Sequence, residues 1–264
     1  MPPPCKSFSM NTRPNAAAPL PNGRRYSRMQ TLAVERGTAQ VKIGGVFMKY
    51  GESGFDIAYL LFAILSGCIL LKKAKNKMEM QMGLATLILG CGDAFHLIPR
   101  VLNYFVSADF TAALGVGKLV TSVTMTVFYL LMYYIWLGVY RKREKRSVTV
   151  CLWALLILRI VLCLFPQNGW LTNSSDVTWG ILRNIPFVLL GAAVCRLYLQ
   201  ERRENRSLRW VWLYILLSFL FYIPVAVGAS LVPLLGMLML PKTVCYVLLI
   251  LSFLRYTAAE KNRN

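Results

Sequence analysis

The sequence predicts an all-α, polytopic membrane protein with seven transmembrane helices, and three observations carry that reading. Apolar runs recur over roughly 53–71, 81–105, 113–140, 147–165, 178–199, 208–231 and 234–256 of the 264 residues. Each is close to the ~20 residues that cross a hydrocarbon core of ~30 Å. The connections between them are short, so a transmembrane domain over 48–256 leaves almost no chain for a soluble one. The third observation is charge: 30 Lys and Arg face 11 Asp and Glu, and they cluster in alternate connections.

Taken in order, the first run is followed by Lys72, Lys73, Lys75 and Lys77, whereas the connection after the second, near 106–112, has no Lys or Arg. The third is followed by Arg141, Lys142, Arg143, Lys145 and Arg146, while 166–177 is again free of basic residues. Arg202, Arg203, Arg206 and Arg209 separate the fifth and sixth runs, 232–233 carries no charge, and Arg255, Lys261 and Arg263 follow the seventh. This alternation is the positive-inside pattern. It predicts a plasma-membrane, multi-pass protein whose first helix starts outside and whose tail, 257–264, is cytoplasmic. A pI near 9.9 therefore reports orientation and attraction to anionic lipid, and no nucleic-acid partner is expected.

Residues 1–47 are rich in Pro, Ala, Asn and Arg, with seven basic residues, one acid and no apolar core of a signal peptide. They read as a disordered basic tail. Met48, just before the first helix, offers a downstream start, and an Arg-rich transit peptide is the other reading. Cys68, Cys91, Cys151, Cys163, Cys195 and Cys245 fall singly within the runs as small packing residues. One histidine argues against zinc chemistry of the several-ligand kind, so no metal and no cofactor are expected.

The run 81–105 contains the stretch that breaks the apolar pattern, Cys91-Gly92-Asp93-Ala94-Phe95-His96-Leu97-Ile98-Pro99-Arg100. Asp93, His96 and Arg100 are three and four apart, which puts them on one helical stripe. At ~1.5 Å per residue from an entry near 81, they stand about 18, 22 and 28 Å along the helix. Lys118, Arg159, Arg183 and Lys242 fall in the same half of their own runs, and Asp56 tops the first. Ionisable groups at such depth must pair, snorkel or face water. An outward-facing, water-filled pocket holding an anion resolves the repulsion among five cations. Competing readings are snorkelling of Arg100, Lys118 and Arg183 to lipid phosphates, a buried Asp93–Lys242 bridge, and a satisfied core histidine at His96. Pro99, Pro186, Pro224 and Pro241 suit kinks around a cavity. Tyr133, Tyr134, Trp136 and Tyr140 read as interfacial belt and packing.

Laying Phe95–Pro99 on Leu220–Pro224 aligns Ile98-Pro99 with Ile223-Pro224 and brings Lys118 near Lys242. The match suggests a 3+1+3 parallel repeat with the fourth helix as connector. In it Asp93, His96 and Arg100 correspond to Ser218, Phe221 and Val225, so the ionisable triplet belongs to one half only.

Asp93 at this spacing can orient His96 for proton transfer, with the cations stabilising negative charge. The candidate catalytic pair is Asp93 and His96, and the candidate ligand-binding set is Arg100, Lys118, Arg159, Arg183 and Lys242. Gly92, Asp93, Pro99 and Arg100 resemble the Gly-Asp helix of the YhhN-like lysoplasmalogenase family, membrane hydrolases of the vinyl-ether bond. That resemblance implies hydrolysis of a lipid. The family's second acidic motif, Ser-Asp before Leu-Ala, meets here only Ser175-Asp176 before Val177-Thr178-Trp179, in a connection. Seven helices with a lysine in the last are also similar to retinal proteins, but the third helix offers no mid-membrane acid. The 3+1+3 layout is similar to the small sugar-transporter (SWEET) family, without its Pro-Gln signature. The expected function is binding, with or without hydrolysis, of an anionic small molecule or phospholipid-like head group. A small-anion or proton-coupled transporter and a non-catalytic receptor or assembly protein are the alternatives. The expected partners are membrane lipids and that anionic ligand, and no oligomeric state is assigned.

Overall fold

The computed structural model describes residues 49–173, 176–228 and 233–261. The tail read over 1–47 lies outside the described residues, as do Ser174, Ser175 and the last three positions. Seven helices are long and apolar enough to cross a membrane: α1 (Lys49–Lys73), α2 (Lys77–Phe105), α3 (Thr111–Val139), α4 (Arg146–Leu164), α5 (Val177–Gln200), α6 (Val211–Gly228) and α7 (Met239–Lys261). Short 3₁₀ turns at Pro166–Asn168 and Pro233–Leu238 follow α4 and precede α7, and no strand occurs among the described residues. Large apolar side chains such as Leu61, Leu65, Trp153, Ile157, Leu189 and Leu220 are exposed, as a lipid-facing exterior requires and a water-facing one would not tolerate.

The helix ends follow local chemistry. Asn76 caps α2 by accepting from the Glu79 amide at 2.9 Å, and the Glu79 carboxylate accepts from the Lys75 amide at 2.8 Å. Two otherwise orphaned donors are thereby satisfied, as in a capping box. Asp176 caps α5 by accepting from the Thr178 amide at 3.2 Å. The polar caps start these helices ahead of the apolar runs, and α7 carries on through charged residues to Lys261. Segment 257–261, expected as tail, is therefore helical. At the opposite end from the cavity described below, Lys142 donates to Glu201 at 2.8 Å. This bond holds the Glu201 carboxyl below its ordinary range.

α1 and α2 form an antiparallel pair: Glu52 meets Arg100, Tyr59 meets Asp93, and Gly67 and Gly83 lie against Leu87 and Leu71. α2 and α3 approach still more closely. A Cβ on Gly117 would lie 2.2 Å from the Phe95 carbonyl oxygen and 2.8 Å from the His96 Cα. Both are backbone atoms, so relief requires the helices to separate. Gly117→Ala is expected to destabilise the protein by about 1–3 kcal/mol, read as a lower midpoint of thermal unfolding in detergent. An unchanged midpoint would show that the α2–α3 contact is not tight.

The core beneath the cavity is aromatic. Tyr129 packs edge-on to Phe128 and Phe187, and Phe187 also meets Phe219 and Tyr222. Such pairs add about 0.5–1.5 kcal/mol each beyond area burial. Trp136 donates to the Leu197 carbonyl at 3.0 Å and the Tyr133 hydroxyl bonds Thr149 at 2.8 Å. The α3 aromatics thus serve packing, away from the cavity.

Candidate functional site

Pro186 and Pro224 lie inside α5 and α6, and Pro99 inside α2. A proline removes a backbone donor and wedges the preceding turn, so helices that carry one part more easily around a void. Between α1–α7 lies a cavity of about 520 Å³, and all seven candidate residues line it: Asp93, His96, Arg100, Lys118, Arg159, Arg183 and Lys242. Asp56 joins them. Residues scattered over six helices in the sequence are brought to one space.

The acids lie on α1 and α2. Asp93 is 9% exposed and accepts from the Tyr59 hydroxyl at 2.7 Å. It does not bond His96, whose buried Nδ1 has no hydrogen-bond partner. The expected Asp93–His96 couple is therefore corrected to an Asp93–Tyr59 couple. The reason is register: Tyr59 on the facing helix reaches the carboxylate, while the next turn of α2 carries the imidazole past it. Asp56, 4% exposed, leaves its Oδ2 without a partner.

The cations differ in how they are held. Arg100 forms an ion pair with Glu52, which also accepts from Tyr104 at 3.0 Å. Lys242 forms no ion pair with Asp93 among the described residues; its ammonium sits 5.0 Å from the Tyr222 ring and 5.2 Å from that of Tyr246. The alternative of a direct Asp93–Lys242 bridge is thereby replaced by a cation–π seat between Tyr222 and Tyr246.

Arg159 is 1% exposed. Its Nη1 donates to the Arg183 carbonyl at 2.6 Å and to Asn184 Oδ1 at 2.9 Å, and its guanidinium lies 4.1 Å from the Phe187 ring. Its Nε is buried without a partner. Arg183 donates to Asn168 Oδ1 at 2.7 Å and stacks on Trp170 at 4.3 Å. Lys118 donates to Asn173 Oδ1 at 2.7 Å. Asn173 adopts φ 51°, a left-handed conformation that asparagine accepts more readily than most residues; that turn aims its amide at the lysine. Lys118 and Arg183 therefore turn into the cavity instead of snorkelling away from it.

The sequence reading missed the neutral groups of the site. Asn168, Asn173, Asn184, Tyr59 and Tyr222 hold or seat its charges. Asn184 alone accepts from both Arg159 and the Tyr222 hydroxyl (2.8 Å) while donating to the Gly180 carbonyl at 2.8 Å. An amide in the middle of an apolar helix, next to Arg183 and two residues before Pro186, was the available signal. Asp176, the resemblance's only acid in a later segment, caps α5 and is not among the cavity-lining residues. No family model, curated protein or solved structure matches the chain.

Chemically, the site is a set of fixed hydrogen-bond donors around a water-sized to ligand-sized space. Five cations face two lining acids, so the cavity carries a net positive charge. It suits an anion better than a cation or a neutral molecule.

Proposed function

We propose that this chain is a multi-pass membrane protein of the plasma membrane that binds an anionic group in the α1–α7 cavity. The ligand is a small anion or the head group of a phospholipid-like molecule. The observation that carries this reading is Arg159, a fully buried guanidinium facing the cavity with no carboxylate partner among the described residues. A buried, unpaired charge costs several kcal/mol, and a bound anion removes that cost.

Orientation follows from the positive-inside pattern. The connections at the cavity end, 106–110 and 165–176, contain no Lys or Arg, and the opposite end carries Lys72–Lys77 and Arg141–Arg146. The cavity accordingly faces outward, and α7 ends in the cytoplasm. A 3+1+3 repeat is consistent with Lys118 and Lys242 both lining the cavity, and with Asp93 and Ser218 both being buried. Hydrolysis of a bound lipid, implied by the Gly92-Asp93 resemblance, is the second reading. Asp93, with the Tyr59 phenol beside it, and the unpartnered Nδ1 of His96 are its available proton carriers.

Native mass spectrometry of the purified protein, wild type beside Asp93→Asn and Lys242→Ala, tests the binding reading. A co-purifying anion or acidic lipid in the wild type, diminished in Lys242→Ala, is expected. The wild type carrying no ligand, and gaining none from added lipid extract, would overturn it. A cleaved lipid accumulating with the wild type and an intact one with Asp93→Asn would favour hydrolysis over simple binding.

A further inference from the structure

Three of the five cations share one arrangement. Lys118, Arg183 and Arg159 are each held by an asparagine oxygen, of Asn173, Asn168 and Asn184, at 2.7, 2.7 and 2.9 Å. None of the three forms an ion pair among the described residues. An amide oxygen fixes a cation's direction yet carries no net charge, so each positive charge remains unneutralised. A carboxylate of the same size would have fixed the side chain and cancelled it. Arg100 shows the contrast, because Glu52 cancels its charge. Arg159 reaches the Arg183 carbonyl at 2.6 Å and all three line the same cavity, so they form one cluster on α3–α5. The buried Nε of Arg159 is a donor still unspent.

A single carboxylate or phosphodiester offsets one of these charges and leaves two repelling. A phosphoryl dianion offsets two, and its three terminal oxygens accept from several donors at once. Resting on the reading that this cavity binds an anion, we propose that Lys118, Arg159 and Arg183 form a subsite for a phosphoryl dianion, the terminal phosphate of a phosphomonoester. The asparagines are positioning residues that keep the subsite cationic. The same chemistry is offered by inorganic phosphate, by water-soluble phosphomonoesters and by single-chain phosphomonoester lipids.

The test uses the full-length protein in detergent, freed of endogenous ligand. Thermal unfolding and calorimetry are read against inorganic phosphate, acetate, a single-chain phosphomonoester lipid and the matching phosphodiester lipid. The phosphomonoester lipid is expected to bind at least about tenfold more tightly than the phosphodiester, and phosphate more tightly than acetate. If the lipid exceeds inorganic phosphate the natural source is a head group; if not, it is a soluble phosphate, and either supports the subsite. Asn173→Asp keeps Lys118 and the left-handed turn, which Asp also accepts, but cancels the charge. It is expected to lose about tenfold in affinity for the phosphomonoester with an unchanged melting temperature. Wild-type affinity in Asn173→Asp and in Arg183→Gln would overturn the assignment. Equal binding of diester, acetate and monoester would overturn the phosphoryl inference and leave anion binding intact. No binding of any anion would remove both.

Discussion

Arg159→Met is expected to melt at a higher temperature than the wild type when both are free of ligand, and to gain nothing when anion is added. The two halves of this result have one cause. Arg159 is 1% exposed and has no carboxylate partner among the described residues, so the empty protein bears a buried charge at a cost of several kcal/mol. Methionine keeps much of the volume and can place its sulfur against the Phe187 ring, where the guanidinium sits at 4.1 Å. Against that gain stands the loss of two hydrogen bonds, to the Arg183 carbonyl and to Asn184 Oδ1. Unpaired acceptors cost about 1–3 kcal/mol each, but Asn184 Oδ1 keeps the Tyr222 hydroxyl at 2.8 Å. The balance favours the variant by about 1–3 kcal/mol, in the range seen when buried ionic groups give way to apolar ones. Ligand affinity should fall at least about 100-fold, the equivalent of two charge-assisted bonds. Differential scanning fluorimetry with and without anion reads both effects. A variant that melts lower than the wild type yet keeps its ligand would mean that Arg159 is a structural pin.

The fold was legible where hydrophobicity alone decides. The run read at 113–140 is helix Thr111–Val139, and that at 147–165 is Arg146–Leu164. The largest differences lie where polar groups extend or interrupt a helix. α1 is helical from at least Lys49, and Glu52 on it pairs with Arg100 of α2 ahead of the apolar run read from 53. A 3₁₀ turn at Pro233–Leu238 precedes α7, so that helix starts at Met239, inside the run read at 234–256. Apolarity does not record where a backbone ladder breaks.

The charged lining was equally legible, because each ionisable residue inside an apolar run needs a reason to be there. Convergence of seven such residues on one cavity could be expected from their shared height. Their partners could not. Spacing within α2 suggested Asp93 and His96, yet the carboxylate's bond comes from Tyr59 on another helix. Hydrogen bonds between helices depend on rotation about each axis, which hydropathy leaves undetermined. The asparagines escaped notice for a related reason. They cost little by themselves, and they matter only through the cations they hold.

Gly180→Leu is expected to abolish ligand binding while leaving stability unchanged or slightly raised. Gly180 lines the cavity one turn before Asn184, and a Cβ added there would meet nothing within 4 Å. The new side chain therefore enters the void instead of a neighbour. Replacing glycine in a helix contributes up to about 1 kcal/mol of helix propensity, and the Gly180 carbonyl still accepts from Asn184. Fold and binding thus part company at this position, the reverse of Gly117, where a methyl meets backbone at 2.2 Å. An isobutyl group pointing at the space beside Arg183 and Asn184 excludes any anion from it, so a loss of more than about 100-fold in affinity is expected. Gly180→Ala, smaller by three carbons, should bind within about tenfold of the wild type. The graded series separates occlusion from unfolding, since melting temperature stays level while affinity falls with side-chain size. Wild-type binding by Gly180→Leu would locate the ligand elsewhere on the protein and dissociate the cluster of cations from the function proposed for it.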